Sequence, residues 1–434
     1  MYCYNMSSLL TNFNIACLGI GAVVLNVAIT FSFYGYEFYY LFDKFVNKVD
    51  SDSESSTQSS DDNNNEESEN ENYSHSEDDD EEEVYGYQED DEYVKIDPHI
   101  KLDFNDVLIL PKESDLQSRN DVSLKRTFYF HNSNRTWCGI PIIVANMDTT
   151  GTIEMARQCQ KQCIMTCLHK FYKPEDIPND LDKNYYIIST GTRTEDITNC
   201  EKIIEKVKPY FVCIDVANGY SVYILETIRK LHAKYPDITL IAGNVVTYDM
   251  VKKYYDNGVD IIKMGIGSGS VCTTRLQTGV GYPQLSCIID TKKQLESDNI
   301  YIISDGGIQN IGDFSKAFGA GADFVMCGGM FSGHEECAGD LITLNGVQYK
   351  TFYGMSSSDA MNKHYGGVAT YKVAEGKSVK IKYKGSVIHT LNDIMGGIRS
   401  SMTYIGAKFM DEIYEKTDFI RVKAIVNTIY NDNK

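Results

Sequence analysis

The loop GIGSGSVCTTR (265–275) holds the residues best suited to chemistry. Three alternating glycines, Gly265, Gly267 and Gly269, let backbone amides and carbonyls approach a ligand or ion closely. Cys272 follows among Thr273, Thr274 and Arg275. A thiol on a polar, Gly-rich loop has little to pack against, and as thiolate it can attack an electrophilic carbon. Two glycine pairs, Gly306–Gly307 after Asp305 and Gly328–Gly329, have the character of backbone phosphate cradles, with Asp305 placed to accept from a ribose hydroxyl.

Something must hold these loops together. Short apolar runs occur at 140–147, 163–169, 185–190, 210–216, 239–245, 260–266, 301–305 and 323–328. Unbroken apolar character marks a strand buried on both faces of a parallel sheet. Helical patterns fill gaps at 197–207, 219–234 and 312–320, while 171–184 has space for only a turn or two. Eight strands with interleaved helices predict an α/β fold of the (β/α)8 TIM-barrel type, whose chemistry lies at the C-terminal strand ends. The ends read Asn146, Met147 and Asp148; His169 and Lys170; Asp215, Ala217 and Asn218; Gly243 and Asn244; then the glycine loops.

The chain divides at its composition shifts into 1–45, 46–95 and 96–434. The first 36 residues carry no charged side chain, and residues 15–36 could cross a bilayer as a helix about 33 Å long. Lys44 and Lys48 would then keep the body cytoplasmic. A cleaved signal and sequence upstream of the true start are the competing readings. Residues 50–94 hold 20 acidic residues and neither Lys nor Arg, a composition expected to form a disordered linker. They account for the whole net charge of −20, since the other 41 acidic residues balance 41 Lys and Arg. No basic field remains to gather nucleic acid. The 12 cysteines are scattered without zinc spacing and read as free thiols. Cys159, Cys163 and Cys167, four apart, are expected to share one buried face.

The motifs KLDFNDVLILPK (101–112), GIPIIVANMDT (139–149), CIDVANGYS (213–221), GSVCTTRLQTGVGYPQLS (269–286), ISDGG (303–307), FYGMSSSDAMNKH (352–364), AEGK (374–377) and GGIRSSMTYIGA (396–407) run in order through the barrel region. With them, residues 96–422 resemble guanosine monophosphate reductase within the inosine monophosphate dehydrogenase/reductase family. The resemblance implies NADPH-dependent reductive deamination of GMP to IMP, with Cys272 as nucleophile at purine C2. Thr274 and Glu375 would relay the proton that the departing amine needs. GMP contacts are implied at Asp305, Gly306, Gly307, Gly328, Gly329, Gly354, Met355 and Ser356, and along Lys372, Val373, Ala374, Glu375 and Gly376. NADPH contacts are implied at Ser118, Arg119, Lys170, Asp215, Val216, Ala217, Ile266, Gly267, Met355, Tyr371 and Lys372, and at Ser400, Ser401, Met402 and Thr403. A potassium-like cation would sit on Gly267, Gly269, Cys272 and Arg275, and the assembly would be a homotetramer.

Three features depart from the family pattern. Lys372 stands where Arg is usual, giving a point charge in place of a bidentate fork. Ser268 replaces a proline, which is expected to loosen the loop. The first 95 residues have no counterpart. A related dehydrogenase is the alternative enzyme, although 171–184 has no space for its usual insertion. A membrane-tethered guanine-nucleotide binder with weak catalysis is the alternative outside enzymes, and intact Cys272, Thr274 and Glu375 oppose it.

Overall fold

In a computed structural model, which describes residues 96–295, 299–367 and 373–423, the expected strands all form. The hydrophobic segment and the acidic linker lie outside those residues. Residues Tyr93–Lys434 make one compact unit. Three short strands lead in: β1 (Val107–Ile109), then the antiparallel hairpin of β2 (Arg126–Phe130) and β3 (Arg135–Gly139). β4 (Ile142–Val144), β5 (Met165–Leu168), β6 (Tyr186–Thr190), β7 (Phe211–Asp215), β8 (Thr239–Val245), β9 (Ile261–Met264), β10 (Tyr301–Asp305) and β11 (Phe324–Cys327) close a barrel. Each strand pairs in parallel with its sequence neighbour, and β11 returns to β4.

Two of the connecting helices begin at a side chain that satisfies a free amide. α1 (Ile153–Cys159) is capped by Thr152, whose hydroxyl accepts from Met155 N–H. α2 (Thr194–Val207) opens with Glu195 and Asp196 in its first turn, where the helix dipole favours acid. α3 (Val222–Lys234) starts three residues later than the apolar pattern does, because Ser221 caps it. Its Ile224, Leu225, Ile228 and Leu231 are buried, the stripe of a helix lying on a sheet. α4 (Tyr248–Tyr255), α5 (Thr274–Thr278), α6 (Gln284–Lys292) and α7 (Ile311–Gly319) follow β8, β9 and β10.

One expectation fails. Cys159 ends α1, Cys163 adopts a left-handed turn with φ 58°, and Cys167 lies within β5. Their spacing of four therefore spans a helix end, a turn and a strand. Cys159 and Cys167 are buried and Cys163 is half-buried, with no common face.

Alternation along each strand sorts the barrel interior into layers. β7 turns Phe211, Cys213 and Asp215 inward; β10 turns Tyr301, Ile303 and Asp305. The strand starts are thus hydrocarbon and the strand ends are charged. The β2–β3 hairpin plugs the hydrocarbon end: Phe128 stacks on Phe324 with ring centroids 4.4 Å apart. Trp137 packs beside both rings while its indole N–H donates to the Asn184 carbonyl at 2.7 Å.

Beyond β11 an antiparallel sheet forms from β12 (Ile342–Leu344), β13 (Val347–Tyr353) and β14 (Ser378–Lys382). Asn345 and Gly346, both at positive φ, make the tight β12–β13 turn. Between β13 and β14 the chain makes an excursion that carries α8 (Ser358–Tyr365). α9 (Val387–Tyr404) packs on α7 and α1, and β15 (Phe419–Arg421) pairs with β1. Among the described residues, no helix is long and apolar enough to cross a membrane.

Candidate active site

The strand ends surround a cavity of about 270 Å³. That is near the lower limit for small-molecule sites, roughly 300–1,000 Å³. Cys272 lines it, partly exposed, on the loop after β9. Its Sγ–H donates to Thr274 Oγ1 at 3.2 Å, and that hydroxyl donates to Glu375 Oε2 at 2.6 Å. A thiol, a hydroxyl and a carboxylate thus form one line along which a proton can pass.

Glu375 lies 101 residues after Thr274, and backbone bonds bring them together. Thr273 N–H donates to the Glu375 carbonyl at 2.8 Å and Lys377 N–H to the Val271 carbonyl at 2.9 Å. Glu375 N–H donates to the Ser356 carbonyl at 3.1 Å. The Cys loop, the 354–357 turn and the 375–377 strand entry are therefore laced into one unit. Ser268, where a proline was expected, is tied to the end of β10. Its hydroxyl donates to the Asp305 carbonyl at 3.0 Å, and its own carbonyl accepts from Gly307 N–H at 2.9 Å. The hydroxyl bond is the one that a proline at this position could not make.

Below the thiol sits a charged group. Lys263, its side chain 3% exposed, reaches Asp215 Oδ1 at 2.7 Å and Asp305 Oδ2 at 2.8 Å. Asn146 donates to the other oxygen of Asp215 at 2.9 Å, and Asn244 donates to Asp305 Oδ2 at 2.9 Å. Burial works against the Lys263 charge, but the two carboxylates override it and raise the ammonium well above its ordinary pKa. Burial likewise opposes ionisation of Asp215, and Lys263 outweighs it, holding that carboxyl below its usual range.

Of the expected substrate residues, Asp305, Gly306, Gly307, Gly328, Gly329, Gly354, Met355, Ser356 and Glu375 line the cavity. Gly376 pairs with Cys272 in an isolated bridge, while Val373 is half exposed and does not line the cavity. Ala374 does not line it either. The glycines are needed for space: a Cβ on Gly306 would fall 2.4 Å from Ser268 Oγ, and one on Gly329 2.7 Å from Ser270 Oγ. Tyr371 and Lys372 lie outside the described residues.

The expected cofactor residues separate into two groups. Asp215, Val216, Ala217, Ile266, Gly267 and Met355 line the cavity. Lys170 is paired with Asp196 at 2.9 Å and does not line it. Ser118 caps the short turn Arg119–Asp121, which packs against α9 together with Ser400, Ser401, Met402 and Thr403. None of these lines the cavity, and Met402 is wholly buried. For the cation, Gly267, Gly269 and Cys272 are present on the loop. The Arg275 guanidinium is committed elsewhere, to Asp103 at 2.8 Å and the Tyr282 carbonyl at 2.6 Å. Among the described residues, no three His, Cys, Asp or Glu side chains are grouped to hold a metal.

Two clusters escape the sequence reading. Lys263 is one, hidden within an apolar strand. The other centres on Asp148, 1% exposed, which accepts from Tyr353 at 2.8 Å, Lys363 at 3.2 Å and His364 Nε2 at 2.6 Å. His364 stacks on Phe171 with centroids 3.5 Å apart, so α8 is fastened to the barrel rim from two sides.

A parallel barrel with a thiol loop and glycine cradles at its mouth defines a class of nucleotide-converting α/β-barrel enzymes. Residues 101–427 match the family model described as "IMP dehydrogenase / GMP reductase domain", and the chain belongs to that family. It is 50% identical over 345 residues to "GMP reductase 1" of Homo sapiens, covering 99% of that protein and 78% of this chain. It is also 50% identical over 345 residues to "GMP reductase" of Phytophthora infestans, covering 94% of that protein, and 47% over 344 residues to that of Aliivibrio salmonicida.

Proposed function

We propose that the chain is a GMP reductase, converting GMP to IMP and ammonia with NADPH as reductant. The Cys272–Thr274–Glu375 line at the cavity carries this reading. The purine would lie with C2 against Cys272 and its ribose on Asp305, and its phosphate on the Gly306–Gly307 and Gly328–Gly329 backbone. Cys272 Sγ forms a bond to C2 as its proton passes through Thr274 toward Glu375. The same line returns a proton to the 2-amino group, which leaves as ammonia, and a thioimidate remains on the sulfur. When bound, NADPH supplies the hydride that C2 accepts. Sγ then leaves C2 as thiolate and IMP departs.

The cavity walls fit a nicotinamide, since Asp215 offers a carboxylate to an amide beside the apolar Val216, Ala217 and Ile266. Ser118, Arg119, Lys170 and Ser400 to Thr403 are proposed for the remote part of the dinucleotide, with Tyr371 and Lys372 as further NADPH contacts and Lys372 as a GMP contact too. A monovalent cation on the carbonyls of Gly267, Gly269, Cys272 and Arg275 would hold the Cys loop. A homotetramer and a cytoplasmic location, with or without tethering through residues 15–36, complete the proposal.

The test is incubation of the purified chain with GMP and NADPH. NADPH oxidation matched by equal IMP and ammonia is the expected result. Tight GMP binding without oxidation would favour a nucleotide-binding protein, and NAD-dependent oxidation of IMP would favour a dehydrogenase.

A further inference from the structure

Lys263 has no part in the proton line, yet it is a deeply enclosed charge that lines the cavity. It lies on β9 in register with Ile303 of β10 and with Gly243 of β8, which in turn pairs with Asp215 of β7. Space for its stem comes from β8, where Gly243 has no side chain: a Cβ there would stand 2.5 Å from Lys263 Cβ. The ammonium reaches two carboxylates, Asp305 on the adjacent strand β10 and Asp215 on β7, beyond β8. Both carboxylates line the cavity.

A buried ion triad is a poor means of stabilising a barrel, because packed hydrocarbon of similar volume often does as well or better. Its geometry is better suited to aiming. Asp215 has one oxygen on Lys263 and the other on Asn146. Asp305 directs Oδ2 to both Lys263 and Asn244, leaving Oδ1 with no hydrogen-bond partner among the described residues. The side chains of Asp305 and Asp215 are 19% and 32% exposed and that of Lys263 is 3%, so the carboxylates present more surface to the cavity that all three line.

We propose that Lys263 is a positioning residue shared by the two halves of the cavity, aiming Asp305 at the nucleotide's ribose and Asp215 at the nicotinamide through one buried ammonium. The inference rests on the GMP reductase reading. It differs from a packing role in requiring that one substitution weaken two ligands that touch different residues.

Calorimetric titration of GMP and, separately, NADP+ into the purified full chain tests it. Lys263→Met keeps the stem and removes the charge. Both affinities should fall by about tenfold or more, as when one partner of a buried charge pair is removed. The other groups facing the triad include Cys213 on β7, Cys167 on β5, Cys327 on β11, Lys170 after β5, Asn146, Asn244 and the Met326 sulfur.

Affinity within about twofold of the parent for either ligand would overturn the shared role. Should Lys263→Met fail to fold, Lys263→Met/Asp215→Asn removes one charge of each sign. That variant must also lose GMP affinity, and retention of it would overturn the proposal. If the parent binds no GMP, the functional reading itself fails, a result distinguishable from failure of the Lys263 variant alone.

Discussion

The two ends of the barrel are built from the same strands by the same alternation, yet they hold opposite materials. At the strand starts, Phe211, Ile261 and Phe324 meet the Phe128, Phe130 and Trp137 plug, every one of them buried. At the strand ends, Asp215, Lys263 and Asp305 meet loops rich in glycine. The hydrocarbon end gains its stability from area removed from water. The charged end sets buried ions and empty glycine positions in register, which holds ligand-facing groups in place and contributes little to folding. Stability and chemistry are therefore separable along the barrel axis, and substitutions at the two ends should have different signatures.

Cys272→Ala sharpens the contrast most. Turnover should fall by about 10⁴-fold or more, as for loss of a covalent nucleophile, with Tm and GMP affinity unchanged in melting and binding assays. At the other end, Phe324→Ala should destabilise by about 3–5 kcal/mol in denaturant unfolding, with turnover per folded molecule retained. A matching loss of kcat there would break the separation.

His169, at the end of β5, carries a smaller, pH-dependent effect. Burial brings its pKa down from 6.5 to about 4. Between those values the unfolded chain takes up a proton that the folded chain refuses, so stability falls as pH drops through this window. Above it His169 contributes no pH dependence. The loss should approach roughly 3 kcal/mol at the acid end. His169→Gln should flatten that part of the Tm-against-pH curve. Smallest in free energy, Thr274→Val interrupts the proton line and should lower kcat about 10²-fold while KM for GMP moves little.

All eight barrel strands were legible in the sequence because a strand buried on both faces has no polar phase to obscure it. The thiol loop was legible for the opposite reason, since Cys272 stands among glycines and hydroxyls where packing gives no account of it. Lys263 was not legible. Within DIIKMGI one lysine reads as an interruption of an apolar run. Its meaning appears only when the inward phase of β9 is set beside Asp215 on β7 and Asp305 on β10, 48 and 42 residues away. Asp148 and His364 are 216 residues apart, and no local pattern joins them. The cysteine triplet shows the converse error, in which regular spacing crosses three kinds of backbone and carries no shared face.

The central claim is that Cys272 faces the reacting carbon of a guanine ring. A crystal structure of the chain with GMP tests it most directly. The account predicts C2 about 3–3.5 Å from Cys272 Sγ, the ribose on Asp305 and the phosphate over the two glycine pairs. A guanine bound elsewhere, with the sulfur turned away from it, would contradict the account.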